Sequence, residues 1–181
     1  MFDEEKIIND ILKGNLNTFQ LVVKQYQNLV YSILNRMLAN NEDIEDIGQE
    51  VFIKVYENLK KFKKESKLST WIARIAYNVT INHLKKENRN HFDDINDRFE
   101  FHSTPENPET KLIGKELTDY LNHLISELPL QYRTVITLYH WDEFSVQEIS
   151  EITKFPEGTV KGYLFRARKL LKEKLQKDGY Q

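Results

Sequence analysis

The sequence predicts an all-α protein built from two small helical domains. Three observations carry that prediction. Apolar residues recur at three-and-four spacing through most of the chain, the mark of helices that bury one stripe. No segment alternates convincingly with period two, so strands are not expected. The pattern fails once, across residues 92–112, "FDDINDRFEFHSTPENPETKL", where Pro105 and Pro108 sit and residues 93–110 hold six acids against one base. That stretch reads as a flexible acidic linker.

A short helix is expected at 3–13. Residues 19–38 place Phe19, Val22, Val23, Tyr26, Leu29, Val30, Ile33, Leu34 and Met37 on one helical face. In "EDIEDIGQEVFIKVYENLKKF" the stripe is Ile44, Ile47, Val51, Phe52, Val55, Leu59 and Phe62. A further helix runs from Ser69 to Lys86 through Trp71, Ile72, Ile75, Ala76, Val79 and Leu84. Beyond the linker, periodicity resumes with Leu117, Tyr120, Leu121, Leu124 and Leu128. The expected domains are 1–91 and 113–181, with their helical cores at 17–91 and 113–177.

Composition narrows the class. With 40% apolar and 30% charged residues the chain has the makings of a folded core. It has no cysteine, which excludes disulfides and thiolate metal sites and fits a reducing compartment. "MFDEEKIINDILKG" lacks a signal peptide's basic start, and no run of 18 apolar residues offers a membrane span. Net charge is only −2, so nucleic-acid binding gains no support from bulk charge. The five histidines, at 83, 91, 102, 123 and 140, show no metal-ligand spacing. No phosphate-binding glycine loop or nucleophile motif is present, so no enzyme, cofactor or metal is expected.

The second domain carries the clearest motif. Ser145 is a good N-cap, and Glu148 completes a capping box three residues later. The short helix 146–153 is followed by "KFPEG", a tight turn whose Pro156 and Glu157 suit a new helix start. Two helices joined this closely form a helix-turn-helix, whose second helix enters the DNA major groove. A helical wheel puts Val160, Leu164, Ala167 and Leu171 on one face of that helix, the core side. Opposite lie Gly158, Gly162, Phe165 and Lys169, flanked by Thr159 and Arg166 on one side and by Lys161, Arg168 and Lys172 on the other. Residues 155–177 hold seven Lys/Arg against two Glu, a net of +5. Glycine within a helix costs about 1 kcal/mol relative to alanine, but on an outward face it admits close approach of another surface. A phenyl ring there can meet a thymine methyl, and arginines beside it can reach guanine or phosphate. The competing reading is an amphipathic helix with a solvated basic face and one stray phenylalanine.

At this point the residues resemble a family. "LPLQYRTVITLYHWDEFSVQEISEITKFPEGTVKGYLFRARKLLKEKL" resembles region 4 of the extracytoplasmic-function (group IV) sigma factors of bacterial RNA polymerase, with "GTVK…RAR" its most specific part. "EDIEDIGQEVFIKVYENLKKF" resembles their region 2.2, and "STWIARIAYNVTINHLKK" their promoter-melting helix. The likeness covers nearly the whole chain in the family's order.

The resemblance implies a cytoplasmic transcription-initiation factor that acts bound to core RNA polymerase. Region 2 would read the minus-10 element and region 4 the minus-35 element of promoter DNA, and an anti-sigma factor would be a further partner. Elements about 25 base pairs apart are separated by roughly 85 Å. A 181-residue globule has a radius of gyration of about 16 Å. A tether of about 20 residues reaches roughly 70 Å extended, so two domains and a linker suit the task.

Carried over residue by residue, Asn78 and Asn82 match positions that contact the minus-10 strand. They lie four apart, hence on one helical face, and Asn pairs readily with a base edge. Lys85, Lys86 and Arg89 continue that helix as phosphate contacts. The loop "KKFKKESKLS" holds five lysines against one Glu, and in the family the corresponding loop holds a flipped-out base. Trp71 could stack on a base, but a core position is the better expectation. Asp46, Gln49 and Glu50 form the face that docks on the polymerase's largest subunit in the family, although their spacing fits a solvated acidic helix equally well. For the minus-35 element the expected contacts are Thr159, Lys161, Gly162, Phe165, Arg166 and Lys169. Many relatives have Ser-Arg at Gly162-Tyr163, and Glu157 replaces a commonly apolar residue. Two rivals remain: a free-standing helix-turn-helix regulator that binds an operator without polymerase, and a helical adaptor that binds only protein.

Overall fold

A computed structural model describes residues 3–38, 44–87 and 115–179. Among them the chain is helical throughout, in the order α1 (Glu4–Leu12), α2 (Leu16–Met37), α3 (Ile44–Asn58), α4 (Leu68–Glu87), α5 (Lys115–Ser126), α6 (Leu130–His140), α7 (Val146–Thr153) and α8 (Glu157–Lys177). The expected linker lies outside the described residues.

The first four helices follow the periodicity with small shifts at their ends. Asp3 caps α1 by accepting from the Lys6 N–H, and Gly14, at φ +95°, closes it in a conformation that side chains resist. Helix α2 begins three residues earlier than the stripe predicts. Helix α3 stops at Asn58 and tightens into a 3-10 turn over Leu59–Lys61, so that Leu59 turns inward and is buried. Val22, Val30, Leu34, Val51, Val55, Ile72 and Ala76 fill the space between α2, α3 and α4. Gly48 lets α2 approach closely, since a methyl group there would come within 2.9 Å of the Tyr31 ring. Trp71 is buried against Phe62, with ring centroids 5.3 Å apart, and is therefore a core residue.

In the second set, Val135, Leu138, Ile149, Ile152, Val160 and Leu164 form the interior. The capping box of α7 is complete: Ser145 Oγ accepts from Glu148 N–H at 3.2 Å, and Glu148 Oε2 accepts from Ser145 N–H at 2.9 Å. Lys154 takes a left-handed conformation, φ 66°, to end α7. The turn is then pinned by Ser150, whose hydroxyl donates to the Phe155 carbonyl at 2.6 Å.

One feature is absent from the sequence reading. The two helical sets pack directly on each other, α2 against α6 and α4 against α7. One buried cluster runs from Ile7 through Trp71 to Leu164.

Candidate nucleic-acid interface

Helix α8 presents the expected two faces. Val160, Leu164 and Ala167 are buried, and Leu171 is half-buried. On the outer side, Gly158 and Gly162 face open space: a methyl group at either would meet nothing within 4 Å. Neither glycine is required by packing within the described chain. Phe165 is 69% exposed, the most exposed large apolar side chain among the described residues. Lys161, Arg166 and Lys169 are exposed beside it, while Thr159 is half-buried at the helix start. Lys169 makes only a loose pair with Glu173 at 3.8 Å on the same helix, and the Arg166 guanidinium lies 3.4 Å from the Tyr132 hydroxyl. Arg168, by contrast, is turned to α6, where it lies 5.2 Å from the Tyr139 ring centroid and donates to His140 at 3.2 Å. Burial, and then the nearby Arg168 charge, hold the His140 imidazole below its ordinary pKa.

Tyr163 sits between Tyr132 and Phe155, at centroid distances of 5.2 and 5.4 Å. The side chain thus fills an aromatic layer and does not stand free on the outer face. Glu157 is exposed in the first turn of α8, where its charge suits the helix N-terminus.

On α4, Asn78, Asn82, Lys85 and Lys86 are all exposed, while Ala76, Val79 and Thr80 are buried on the other side. The two asparagines and Lys85 therefore share one open face. Arg89, His91 and His102 lie outside the described residues. In the lysine-rich loop, Lys60, Lys61, Lys63, Lys64 and Lys67 are exposed, so the loop projects concentrated positive charge. Lys64 pairs with Glu5, and Lys67 reaches Glu148 of α7 at 3.0 Å.

On α3, Asp46, Gln49 and Glu50 are exposed opposite buried Ile47 and Val51. Glu50 pairs with Lys54 one turn on, at 3.3 Å. Beside them runs a groove of about 720 Å³, lined by Leu16, Phe19, Val23, Phe52, Ile53 and Tyr56 among others. The sequence reading missed it. The signal was available in Leu16, Ile53 and Tyr56, which are apolar or aromatic yet 61%, 56% and 39% exposed. Among the described residues no cluster of three or more His, Cys, Asp or Glu could hold a metal ion, and no helix is long and apolar enough to cross a membrane.

Comparison with known proteins fits this geometry. The family Sigma-70 region 2 matches residues 22–90, and Sigma-70 region 4 matches residues 118–171. The chain is 35% identical over 180 residues to the ECF RNA polymerase sigma factor SigW of Bacillus subtilis, spanning 95% of this chain and 96% of that protein. It is 33% identical over 184 residues to the ECF RNA polymerase sigma-E factor of Haemophilus influenzae, spanning 96% and 95%. Two solved structures share the fold at TM-score 0.70. One is CnrH in complex with the cytosolic domain of CnrY, at 18% identity and covering 96% of this chain and 97% of that one. The other is the sigma factor RpoE of Bartonella quintana in complex with the anti-sigma factor NepR, at 21% identity and covering 89% and 98%.

Proposed function

The chain belongs to the extracytoplasmic-function sigma factors, and from that membership we propose how its surfaces divide the work. It binds core RNA polymerase and directs promoter-specific initiation of transcription. It is a recognition factor and not an enzyme, and it works in the cytoplasm, where polymerase and promoter DNA are. Residues 1–91 serve as region 2 and residues 113–181 as region 4, with 92–112 as the linker between them. On α4, Asn78 and Asn82 read the minus-10 strand, and Lys85 and Lys86 hold its phosphates. On α8, Thr159, Lys161, Gly162, Phe165, Arg166 and Lys169 meet the minus-35 major groove. On α3, Asp46, Gln49 and Glu50 dock on polymerase. By analogy with RpoE bound to NepR, an anti-sigma factor is a further partner.

One observation carries the minus-35 assignment. The outward stripe of α8 keeps two glycines that nothing in the described chain packs against, beside a phenyl ring exposed to solvent. Both features weaken a merely solvated helix, and both suit a helix that must lie close to DNA. Thymine-methyl contact would use the ring, and the flanking cations would take phosphate or guanine.

The test is reconstitution. Purified chain, core polymerase and a promoter library should give transcripts whose start sites share two sequence elements, and neither component alone should do so. Tight, sequence-specific duplex binding by the isolated chain at physiological salt, without initiation when polymerase is added, would instead identify an operator-binding regulator.

A further inference from the structure

Helix α1 belongs to none of the surfaces assigned to polymerase or DNA, yet its register is fixed. Asp3 caps it, its Ile7, Ile8 and Ile11 are buried, and Glu4 accepts from the Tyr26 hydroxyl of α2 at 2.6 Å. Glu5, the next residue of the same acidic first turn, is exposed and pairs with Lys64 Nζ, 59 positions further on. The helix also packs against the 3-10 turn that opens the lysine-rich loop.

The loop needs such a hold. Its ends are anchored: Leu59 and Leu68 are buried, and Phe62 lies against Trp71. Between those anchors Lys63, Lys64, Glu65 and Lys67 are exposed. Lys64 stands there at φ 59°, a left-handed conformation that a side chain resists and that glycine or asparagine takes more readily. The loop's five lysines also repel one another, with one Glu among them to offset the charge. A carboxylate held out from a packed helix answers both needs. It stabilises the left-handed turn, and it removes one charge from the mutual repulsion. The loop's other ion pair among the described residues, Lys67 with Glu148, ends on α7. Glu5 is thus the carboxylate that holds the loop from within residues 1–91.

We propose that Glu5 is a positioning residue for minus-10 recognition. It touches no base. Through Lys64 it fixes the turn at the tip of the loop, and so sets where Lys63 and its neighbours meet a base displaced from the stack. This rests on the minus-10 assignment made above. A loop shaped beforehand loses less entropy on binding, and the advantage is greatest for the base that fits the shape. Loss of Glu5 therefore lowers discrimination at one minus-10 position, whereas loss of a phosphate contact weakens all sequences alike. The pair is open to water, with Glu5 71% and Lys64 49% exposed, so the expected effect is about two- to fivefold and shrinks as salt rises.

The test uses holoenzyme assembled from the full chain and core polymerase. The probe is forked promoter DNA whose minus-10 strand is unpaired and carries each base in turn at each position. The affinity ratio between the best and second-best base is read at every position. Glu5→Gln and Lys64→Gln should each lower that ratio about two- to fivefold at the same position. The double variant should be no worse than either single one, the signature of one shared interaction. The swap of Glu5→Lys with Lys64→Glu should recover the ratio, because it restores the pair with its charges exchanged. Affinity for core polymerase and the melting temperature of the chain should stay at their parental values. Unchanged ratios in both single variants, additive losses in the double one, a swap no better than Glu5→Gln, or a loss spread evenly over all sequences overturns the inference. The Asn78→Ala, Asn82→Ala pair separates it from the assignment beneath it. Ratios that fall with the asparagines and not with Glu5→Gln refute the positioning role alone. A parent with no base preference anywhere in that strand refutes the minus-10 reading, and the positioning role with it.

Discussion

Replacing Gly162 by leucine separates groove contact from solvation at a single residue. Nothing lies within 4 Å of a methyl group built on Gly162, so the longer side chain should extend into open space without disturbing the described fold. Leucine is a better helix former than glycine by about 0.8–1 kcal/mol. For a chain of this size that gain corresponds to a rise in melting temperature of about 2–4 °C. Thermal melts followed by circular dichroism should therefore show a variant at least as stable as the parent. Transcription should show the opposite. If α8 lies against DNA as the open space around its glycines suggests, the isobutyl group occupies the space that the major groove needs. Initiation at a minus-35-dependent promoter should then be lost, while binding to core polymerase is kept. A Gly162→Leu protein that melts higher and transcribes normally would refute the reasoning and return α8 to an ordinary basic helix.

Other expectations follow from the same surfaces. Asn78→Ala with Asn82→Ala should impair promoter opening, read by permanganate reactivity of unpaired thymines, and leave polymerase binding intact. Asp46→Lys with Glu50→Lys should do the reverse, weakening holoenzyme assembly in a titration against labelled polymerase. Lys169→Ala should reduce the salt dependence of promoter binding by about one unit of slope, evenly across sequences. Arg166→Ala should cost roughly 1–3 kcal/mol at one minus-35 position if that side chain reads a base. Burial pushes the Asp142 carboxyl above its usual range, although Ser32 and Arg36 pull it down. An acid whose pKa is raised by folding holds its proton more tightly in the folded chain. Its contribution to stability is therefore complete below the ordinary carboxylate pKa and is lost as pH rises through the raised value. The parent should gain melting temperature on mild acidification relative to Asp142→Asn, read by circular dichroism in parallel pH series.

How far the sequence foretold this molecule depends on the reach of each signal. The capping box of α7 joins residues three apart, and both of its hydrogen bonds are present. The core stripe of α8 follows the helical period, and of the residues opposite it Gly158, Phe165 and Lys169 are exposed while Gly162 is half-buried. Trp71 could be assigned to the core because its neighbours at helical spacing are apolar. The turn at 154–156 could be read as a turn, but nothing marked Lys154 as the residue to take positive φ, since lysine has no preference for it. Tyr163 was read as a departure at a DNA-facing position, whereas its place between Tyr132 and Phe155 follows from residues 31 and 8 positions away.

The contact between the halves lies beyond any periodic signal, and Glu148 shows why. Its carboxylate caps α7 through Ser145 and also takes Lys67 from the far end of the other domain. Burial pushes this acid up, but hydrogen bonds from Ser145 and Lys67 outweigh that and leave it below its usual range. The local half of that arrangement is an i, i+3 rule that any reader of the sequence can apply. The distant half has no spacing to betray it, because Ser32, Thr70 and Asp142 are small or polar side chains that read as solvent-facing. Periodicity says that a helix face is covered only when the cover is apolar. Apolar residues also cross the seam in one buried cluster, but a helical stripe does not say which partner covers it.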